Sequence, residues 1–296
     1  MAKVLDEPSR KAVAATVRYY RDLGIFDLYR RDVPEGVTFG RTIVREDLAP
    51  AAGSAALPDL APAVGSVALP DAASAPAEAL AAIQQDKPAA LRVIREDIGD
   101  CTRCELCRER TNIVFGVGDP HARIMFVGEG PGADEDAQGE PFVGRAGQLL
   151  NNMIQAMGIR REDVYIGNVV KCRPPKNRAP EPVECATCGP YLMRQILVVR
   201  PEIIVALGAT AAKFLLGATD SMANLRGHIY DFQPARHAAL PSSAPERDPG
   251  FATKLVVTYH PAYLLRDPRQ KKETWLDLQL VMKYLGMSLP KRNPEA

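Results

Sequence analysis

The sequence predicts an α/β domain in three layers (α/β/α), with a central four-stranded parallel sheet between two layers of helices. Four short apolar runs have the length and composition of buried strands. They lie at 123–127, 164–170, 202–207 and 255–259. Helical patterns alternate with these runs and follow the last one, at 146–157, 183–199, 208–217 and 271–286. Alternation of helices with apolar strands is typical of a parallel sheet that is covered on both faces.

The first 90 residues differ from the rest of the chain. Residues 9–31 have a helical pattern, which we expect to dock on the main domain; binding of an unknown protein by this helix is the alternative. Residues 49–90 are rich in Ala and Pro and contain no aromatic residue, so they cannot bury enough apolar area to offset their ordering entropy. We predict an N-terminal helical segment at 1–48, a flexible linker at 49–90 and the main domain at 91–290.

The overall composition is that of an ordinary globular protein. Of 296 residues 46% are hydrophobic and 25% are charged, and the net charge is only +1, which does not by itself indicate a nucleic-acid binder. The chain contains neither an apolar run of membrane-spanning length nor a signal-peptide pattern. We therefore expect a cytoplasmic monomer without membrane association. Residues 233–250 are polar and rich in proline, and we predict a mobile surface loop there.

Polar residues stand where several predicted strands end. Glu129 and Gly130 follow the first strand, Asn168 lies near the end of the second, Gly208 follows the third, and His260 follows the fourth. Because parallel strands bring their carboxyl ends to one edge, these residues should gather in the crevice where such sheets bind ligands. Taken singly, Asn168 could instead be satisfied by neighbouring backbone, and His260 could be a structural loop residue.

The loop after the first strand reads GEGPGADEDAQGEPFVGRAG (128–147), and it lacks the glycine spacing of a dinucleotide-binding fingerprint. Phe142 in this loop offers a flat face for stacking. The amide of Asn168 offers an acceptor beside a donor, which complements N3–H and O4 of uracil but not cytosine. His260 could donate to O2 of a departing base. These side chains suit the extraction of a nucleobase, although they do not single out uracil on their own.

All six cysteines lie between residues 101 and 188. In a cytosolic chain such clustering favours a metal or a cluster over disulfides. On spacing alone, the pair Cys104 and Cys107 with the pair Cys185 and Cys188 would make a tetrathiolate zinc site.

Three ordered motifs resemble the family 4 uracil-DNA glycosylases, the iron–sulfur branch of their superfamily. They are GEGPGADEDAQGEPFVGRAG, NVVKCRPPKNRAP and HPAYLLR, and the likeness spans roughly residues 94–286. The resemblance implies a monofunctional glycosylase that flips uracil out of single- or double-stranded DNA and hydrolyses its N-glycosidic bond. The product would be an abasic site for base excision repair.

The resemblance also implies catalytic roles. Glu129 would line the uracil pocket, and Glu135 would lie near the edge of the base and the attacking water. His260 would stabilise the charge that develops on O2. Asp134 and Asp136 stand near the same place in the sequence, so the preference for Glu135 depends on the resemblance.

Further residues are implied in substrate binding. Gly130 would contact uracil through its backbone, Phe142 would stack on the base, and Asn168 would recognise its hydrogen-bonding edge. The loop from Pro261 to Arg266 would press into the DNA. Four basic residues near the second motif could face phosphates: Lys171, Arg173, Lys176 and Arg178.

For the cysteines, the resemblance implies a [4Fe–4S] cluster with a structural role. Its ligands would be Cys101, Cys104, Cys172 and Cys188, which leaves Cys107 and Cys185 free. A structural zinc ion remains the alternative, since both sites need four thiolates.

Two other functions stay open at this point. One is a non-catalytic DNA-binding or replication-accessory protein that keeps the fold and the metal site. The other is a glycosylase that acts on further deaminated bases. One related subgroup traps its product through a histidine inserted before the G-E-P-F motif; here Ala137 and Gln138 lead directly to Gly139, so we expect ordinary turnover.

Overall fold

The computed structural model describes residues 74–240 and 244–288. The N-terminal helix predicted at 9–31 and most of the predicted linker lie outside these residues. From Ser74 onward the chain is helical, with α1 at Ser74–Gln85 and α2 at Lys87–Ile98. The last part of the predicted linker therefore includes regular helix, while the division of the chain into three parts stays a prediction.

One six-stranded sheet forms the centre of the described structure, in the order β1-β3-β2-β4-β6-β5. The strands are β1 (Val117–Gly118), β2 (Ile124–Gly128), β3 (Tyr165–Asn168), β4 (Ile203–Leu207), β5 (Ile229–Phe232) and β6 (Thr253–Thr258). The four central strands β3, β2, β4 and β6 are parallel, and their registers align Gly128 with Asn168 and Leu207 with Thr258. The two edge strands β1 and β5 pair antiparallel to their neighbours and were not predicted.

Seven further helices complete the α-helical structure of the described residues. They are α3 (Ala133–Gln138), α4 (Arg145–Ala156), α5 (Pro182–Val199), α6 (Ala209–Leu216), α7 (Met222–Leu225), α8 (Pro261–Arg266) and α9 (Lys271–Tyr284). Helices α2, α5 and α6 pack on one face of the sheet, and α4, α8 and α9 pack on the other. The three-layer α/β/α prediction is confirmed, with two antiparallel strands added to the four predicted ones.

Side chains of the sheet alternate between the two helical layers. Met125 and Val127 of β2 face α2 and α5, whereas Ile124 and Phe126 face α4 and α9. This alternation follows from the period of two in a strand. None of the helices within 74–240 and 244–288 is long and apolar enough to cross a membrane.

The predicted mobile loop at 233–250 is attached to the domain in the parts that the structure describes. Glu246 is buried and pairs with Arg194 of α5 at 2.9 Å. The His237 ring lies 2.8 Å from the carbonyl oxygen of Phe214, and Leu240 is buried in the core. Charge pairing and apolar burial therefore attach the described part of this segment to the domain, whereas its mobility stays a prediction.

Candidate active site

A cavity of about 780 Å³ opens at the carboxyl ends of the four parallel strands. The chain leaving each of β2, β3, β4 and β6 contributes to its wall, as expected for a parallel sheet. All seven residues predicted for catalysis and substrate binding line it: Glu129, Gly130, Glu135, Phe142, Asn168, His260 and Arg266. The structure thus brings the predicted residues together, while their roles stay predictions.

Asn168 ends β3 and is only 1% exposed. Its side-chain Oδ1 is buried and has no hydrogen-bond partner in the described structure. A buried unpaired oxygen costs about 1–3 kcal/mol, so native proteins rarely keep one without a function. This oxygen is available to a donor that enters the cavity.

Phe142 stands next to Asn168 and is held in an unusual conformation. Its φ of 55° lies in the left-handed region, which bulky residues rarely adopt. Two glycines make room for it: a Cβ at Gly128 would lie 2.6 Å from Phe142 Cζ and would overlap Asn168 Oδ1, and a Cβ at Gly147 would overlap the Phe142 carbonyl. The glycines therefore allow the close approach of ring and amide, which is the reason for Gly128 at the end of β2.

His260 lies opposite Phe142, with ring centroids 5.5 Å apart. Its Nδ1 accepts a hydrogen bond of 3.1 Å from the backbone N–H of Ala262, which assigns the ring proton to Nε2. Burial lowers the pKa of His260 from 6.5 to about 4, with a further contribution from Arg266, while Glu135 opposes the shift. The ring is therefore neutral at physiological pH and can donate from Nε2.

Glu135 is bonded to the loop that carries Phe142. Its Oε1 accepts from the backbone N–H groups of Val143 and Gly144, both at 3.0 Å, and its Oε2 accepts from Gly132 at 3.1 Å. Three backbone donors thus occupy this carboxylate. Its position at the cavity wall agrees with the prediction, but its bonds indicate that it also shapes the loop around Phe142.

The other acidic residues of the loop fall into separate environments. Glu129 lines the cavity, and the hydroxyl of Thr210 donates to its Oε2. Asp136 is buried and accepts from the backbone of Thr111 at 2.9 Å, so it holds a neighbouring turn. Asp134 is exposed. Only Glu129 and Glu135 of these four acids line the cavity.

Pro261 to Arg266 forms the short helix α8, and the expectation of a loop is wrong there. Pro261 occupies its first turn and His260 caps it, a local pattern that favours helix formation. Leu265 is 38% exposed and Arg266 is also exposed, so the end of α8 presents an apolar and a basic side chain to solvent beside the cavity.

Lys171 does not face solvent, and the prediction that it contacts phosphates is wrong. It is 1% exposed, and its Nζ donates to the Asn168 carbonyl at 2.9 Å and to Gln195 Oε1 at 2.6 Å. Burial lowers its pKa to about 8, while the Cys188 thiol opposes the shift. Lys176 is exposed, and Arg178 pairs with the buried Glu184 at 2.7 Å.

Further residues of the cavity wall were missed in the sequence. They include Asn177, Met222 and Tyr259. Gly208, which was expected at this edge, and Tyr263, within the segment from Pro261 to Arg266, also line the wall. Tyr259 directly precedes the third motif, so its place beside His260 could have signalled it. Gly208 has a φ of 89° and a Cβ there would lie 2.9 Å from His260 Cβ, so this turn needs glycine.

Five of the six cysteines surround a second cavity, between α2, α5 and the segment after β3. They are Cys101, Cys104, Cys107, Cys172 and Cys188. Cys185 does not line this cavity; its thiol interacts with Glu129 and Glu184. The zinc site that would use Cys185 is therefore not assembled, whereas the four cysteines implied by the resemblance are gathered at one place.

The cysteine cavity offers thiols, which are ligands of both zinc ions and iron–sulfur clusters. Within 74–240 and 244–288 no group of three or more His, Cys, Asp or Glu residues is arranged to hold a metal ion. Burial raises the pKa of Cys172 to about 11 and that of Cys188 to about 12. These thiols stay protonated at neutral pH unless a metal displaces the protons. Arg103 donates to Cys101 Sγ and Arg110 to Cys172 Sγ, each at 3.5 Å.

The fold and the first cavity define an α/β protein with a candidate ligand site at the carboxyl edge of its sheet. Comparison with known families agrees: residues 115–279 match the model of the uracil DNA glycosylase superfamily. The chain belongs to this superfamily.

Individual relatives refine the comparison. The chain is 47% identical over 178 residues to a type-4 uracil-DNA glycosylase of Thermotoga maritima, covering 60% of this chain and 84% of the relative. It is 42% identical over 202 residues to a type-4 uracil-DNA glycosylase of Archaeoglobus fulgidus, covering 67% of this chain and 94% of the relative. A type-5 uracil-DNA glycosylase of Thermus thermophilus is 33% identical over 143 residues, 43% of this chain and 63% of the relative. The family resemblance is confirmed.

Proposed function

We propose that this chain is a monofunctional uracil-DNA glycosylase that hydrolyses the N-glycosidic bond of uracil in DNA and leaves an abasic site for repair. The observation that carries the proposal is the buried, unpaired Oδ1 of Asn168. Uracil N3–H would supply the missing donor, and the amide Nδ2 would donate to O4 of the same edge. The type-4 relatives carry the same activity in their names.

The apolar surroundings of Asn168 suit a base that has left the DNA stack. Phe142 offers its ring for stacking, and the absence of a side chain at Gly128 keeps the space beside the amide open. A base inside a duplex cannot reach such a cavity, so the nucleotide must be flipped and the unstacking cost must be met by contacts. Leu265 and Arg266, both exposed at the end of α8, would contact the DNA that the base leaves.

His260 would act on the charge that the reaction creates. As the bond between C1′ and N1 breaks, electrons move onto the base and negative charge grows on O2. A neutral imidazole that donates from Nε2 stabilises this oxygen more in the transition state than in the ground state, which lowers the barrier. The bond from Ala262 to Nδ1 would keep the ring in the tautomer that this role needs.

A carboxylate must favour the cationic sugar and hold the attacking water. Glu135 already accepts three backbone hydrogen bonds, so we assign it to the support of Phe142 as well as to the cavity wall. Glu129 accepts from Thr210 on one oxygen, which supports Glu129 as the residue that orients water with the other.

The second cavity would hold a [4Fe–4S] cluster on Cys101, Cys104, Cys172 and Cys188. The type-4 relatives and the presence of these four thiols in one cavity support this assignment. A bound cluster would supply a rigid, multiply bonded structural centre. Because Cys172 follows Asn168 by four residues, the cluster would fix the segment that leaves the recognition strand.

Asn168→Ala provides the test of the proposed function. Labelled oligonucleotides containing one uracil are incubated with cluster-replete protein, and abasic sites are revealed by alkali. We expect uracil-dependent cleavage by the wild type and a loss of about 100-fold or more in Asn168→Ala. Asn151→Ala is the matched control, because Asn151 lies on α4 and bonds Arg161 outside the cavity. Absence of product from the replete wild type would instead favour a non-catalytic DNA-binding protein.

A further inference from the structure

Lys171 is a buried cation that lies between the two cavities. It stands three residues after Asn168 and directly before Cys172. Its ammonium donates to the Asn168 carbonyl and to Gln195 on α5, and its backbone N–H donates to Cys188 Sγ at 3.2 Å. The residue therefore touches both the end of the recognition strand and one of the predicted cluster ligands.

The hydrogen bond from Lys171 Nζ to the Asn168 carbonyl holds the main chain at a point that β1 does not reach. β1 pairs with β3 only at Tyr165 and Ile166, so it ends before Asn168. On the other side, β2 continues to hold the chain, because Val169 donates to the Gly128 carbonyl at 3.0 Å. The ammonium of Lys171 adds a bond to the main chain at Asn168 itself, where the amide must be aimed at the base.

A buried ammonium needs a negative partner, because its desolvation is otherwise unfavourable. The two acceptors of Lys171 are neutral, and none of the ion pairs found within the described residues includes it. Lys171 lines the cysteine cavity together with Cys188. A metal-bound Cys188 is a thiolate, so a cluster at this site would supply the missing charge.

Lys171 also completes a pattern around the cysteines. Arg103 donates to Cys101 and Arg110 donates to Cys172, so two of the four predicted ligands each have a cationic neighbour. Lys171 lines the same cavity, but its backbone N–H, not its ammonium, donates to Cys188. Unlike the two arginines, it reaches the other cavity as well.

We infer that Lys171 is a positioning residue that joins the cysteine site to base recognition: its charge stabilises the cluster-bound Cys188, and its ammonium fixes the main chain at Asn168. This inference rests on the proposed function for its second half only. The first half concerns retention of the cluster and can be tested without DNA.

The first experiment measures cluster release. Wild type, Lys171→Met and Tyr165→Phe are treated with an iron chelator, and the loss of visible absorbance and of protein-bound iron is followed. We expect release from Lys171→Met to be about 10–100-fold faster than from the wild type, the range seen when residues that support metal ligands are changed. Tyr165→Phe is the matched control. The Tyr165 hydroxyl accepts from Gln195 Nε2 at 3.1 Å, so it belongs to the same buried hydrogen-bond network as Lys171 but does not bond Lys171 itself.

The outcomes of this experiment separate charge from packing. Equal release from Lys171→Met and the wild type would overturn the stabilising role, and equal acceleration in Lys171→Met and Tyr165→Phe would assign the effect to general loosening of the buried network. Lys171→Gln is the second neutral variant if Lys171→Met does not fold, with the same expectation. Circular dichroism and thermal melting check the fold of each protein.

The second experiment is a double-mutant cycle on uracil excision. Single-turnover rates are measured at full cluster occupancy for the wild type, Lys171→Met, Asn168→Ala and the double variant. If Lys171 acts through Asn168, its substitution lowers the rate about tenfold or more in the wild-type background but has little further effect after Asn168→Ala. Equal fold-losses in both backgrounds would overturn the positioning role. A wild type without activity would refute the proposed function and leave the cluster-release result standing.

Discussion

The two cavities of this protein differ in the hydrogen bonding of their polar atoms. In the cavity at the strand ends, Asn168 Oδ1 is buried without a partner, and the neutral His260 presents a donor. In the cysteine cavity, Cys101, Cys172 and Cys188 each accept a hydrogen bond from Arg103, Arg110 or the Lys171 backbone.

This difference indicates what each cavity is built to hold. Unpaired neutral groups suit a ligand that brings its own complementary edge and then leaves. Sulfur atoms that already accept hydrogen bonds, two of them from arginine side chains, suit a resident anion, since such donors stabilise thiolate more than thiol. The first cavity therefore has the properties of a turnover site and the second those of a permanent centre.

The largest effect is expected when the permanent centre loses a ligand. Cys172→Ala should lose most or all of its bound iron, because three thiolates remain where the cluster needs four. Cys185→Ala is the matched control, since Cys185 is equally buried but does not line the cysteine cavity. Iron content per protein and visible absorbance measure the difference. Equal iron loss in both variants would contradict the assignment of Cys172, but not Cys185, as an iron ligand.

The next effect concerns the donor of the turnover site. His260→Ala should lower the single-turnover rate of uracil excision by about 100- to 1,000-fold, because the charge on O2 loses its hydrogen bond. The cluster should be retained, because His260 lies in the other cavity. A variant that lost both activity and iron would show that retention of iron in the cysteine cavity depends on His260.

A smaller effect is expected from Glu135→Gln. The amide keeps one acceptor oxygen but turns its N–H₂ toward a backbone donor, so at least one of the bonds to Gly132, Val143 and Gly144 is lost. We expect the free energy of unfolding to fall by about 1–3 kcal/mol. Asp134→Asn is the control: this residue is exposed, and its change should stay within about 0.5 kcal/mol. Urea denaturation measures both, and equal values would refute the supporting role of Glu135.

A further effect is a dependence of stability on pH. The pKa of His260 is lowered from 6.5 to about 4, so between these values the unfolded state binds a proton that the folded state does not. His260 therefore contributes stability that is complete above pH 6.5 and is lost as the pH falls toward 4. His260→Gln should show a shallower loss of stability over this window than the wild type, whereas His121→Gln, at an exposed site, should not. The same slope in all three proteins would contradict a neutral buried His260.

The sequence was sufficient for the parallel sheet and for the residues at its carboxyl edge. Apolar runs locate buried strands, and parallel topology then places Glu129, Asn168 and His260 together without further information. The edge strands β1 and β5 were missed because they are short, and β5 is largely exposed, so neither produces an apolar run. Their pairing depends on the neighbouring strand rather than on their own composition.

The directions of side chains could not be read from the motifs. Lys171 stands among basic residues and was expected to face phosphates, yet its neighbours in the fold, Gln195 and Cys188, are distant in sequence and decide its burial. Likewise, the acids of the glycine-rich loop look equivalent in sequence, and only the backbone donors around Glu135 and Asp136 distinguish them. A pattern of residue types does not encode partners supplied by other segments.

The unpaired oxygen of Asn168 has a consequence for the end of the catalytic cycle. Uracil presents the same edge to this amide whether it is attached to the sugar or already free, so the freed base satisfies the buried oxygen as well as the substrate does. Emptying the cavity restores the cost of an orphaned acceptor. We therefore expect free uracil to inhibit the reaction by competing for the cavity, and its escape to limit how quickly the next lesion can be processed.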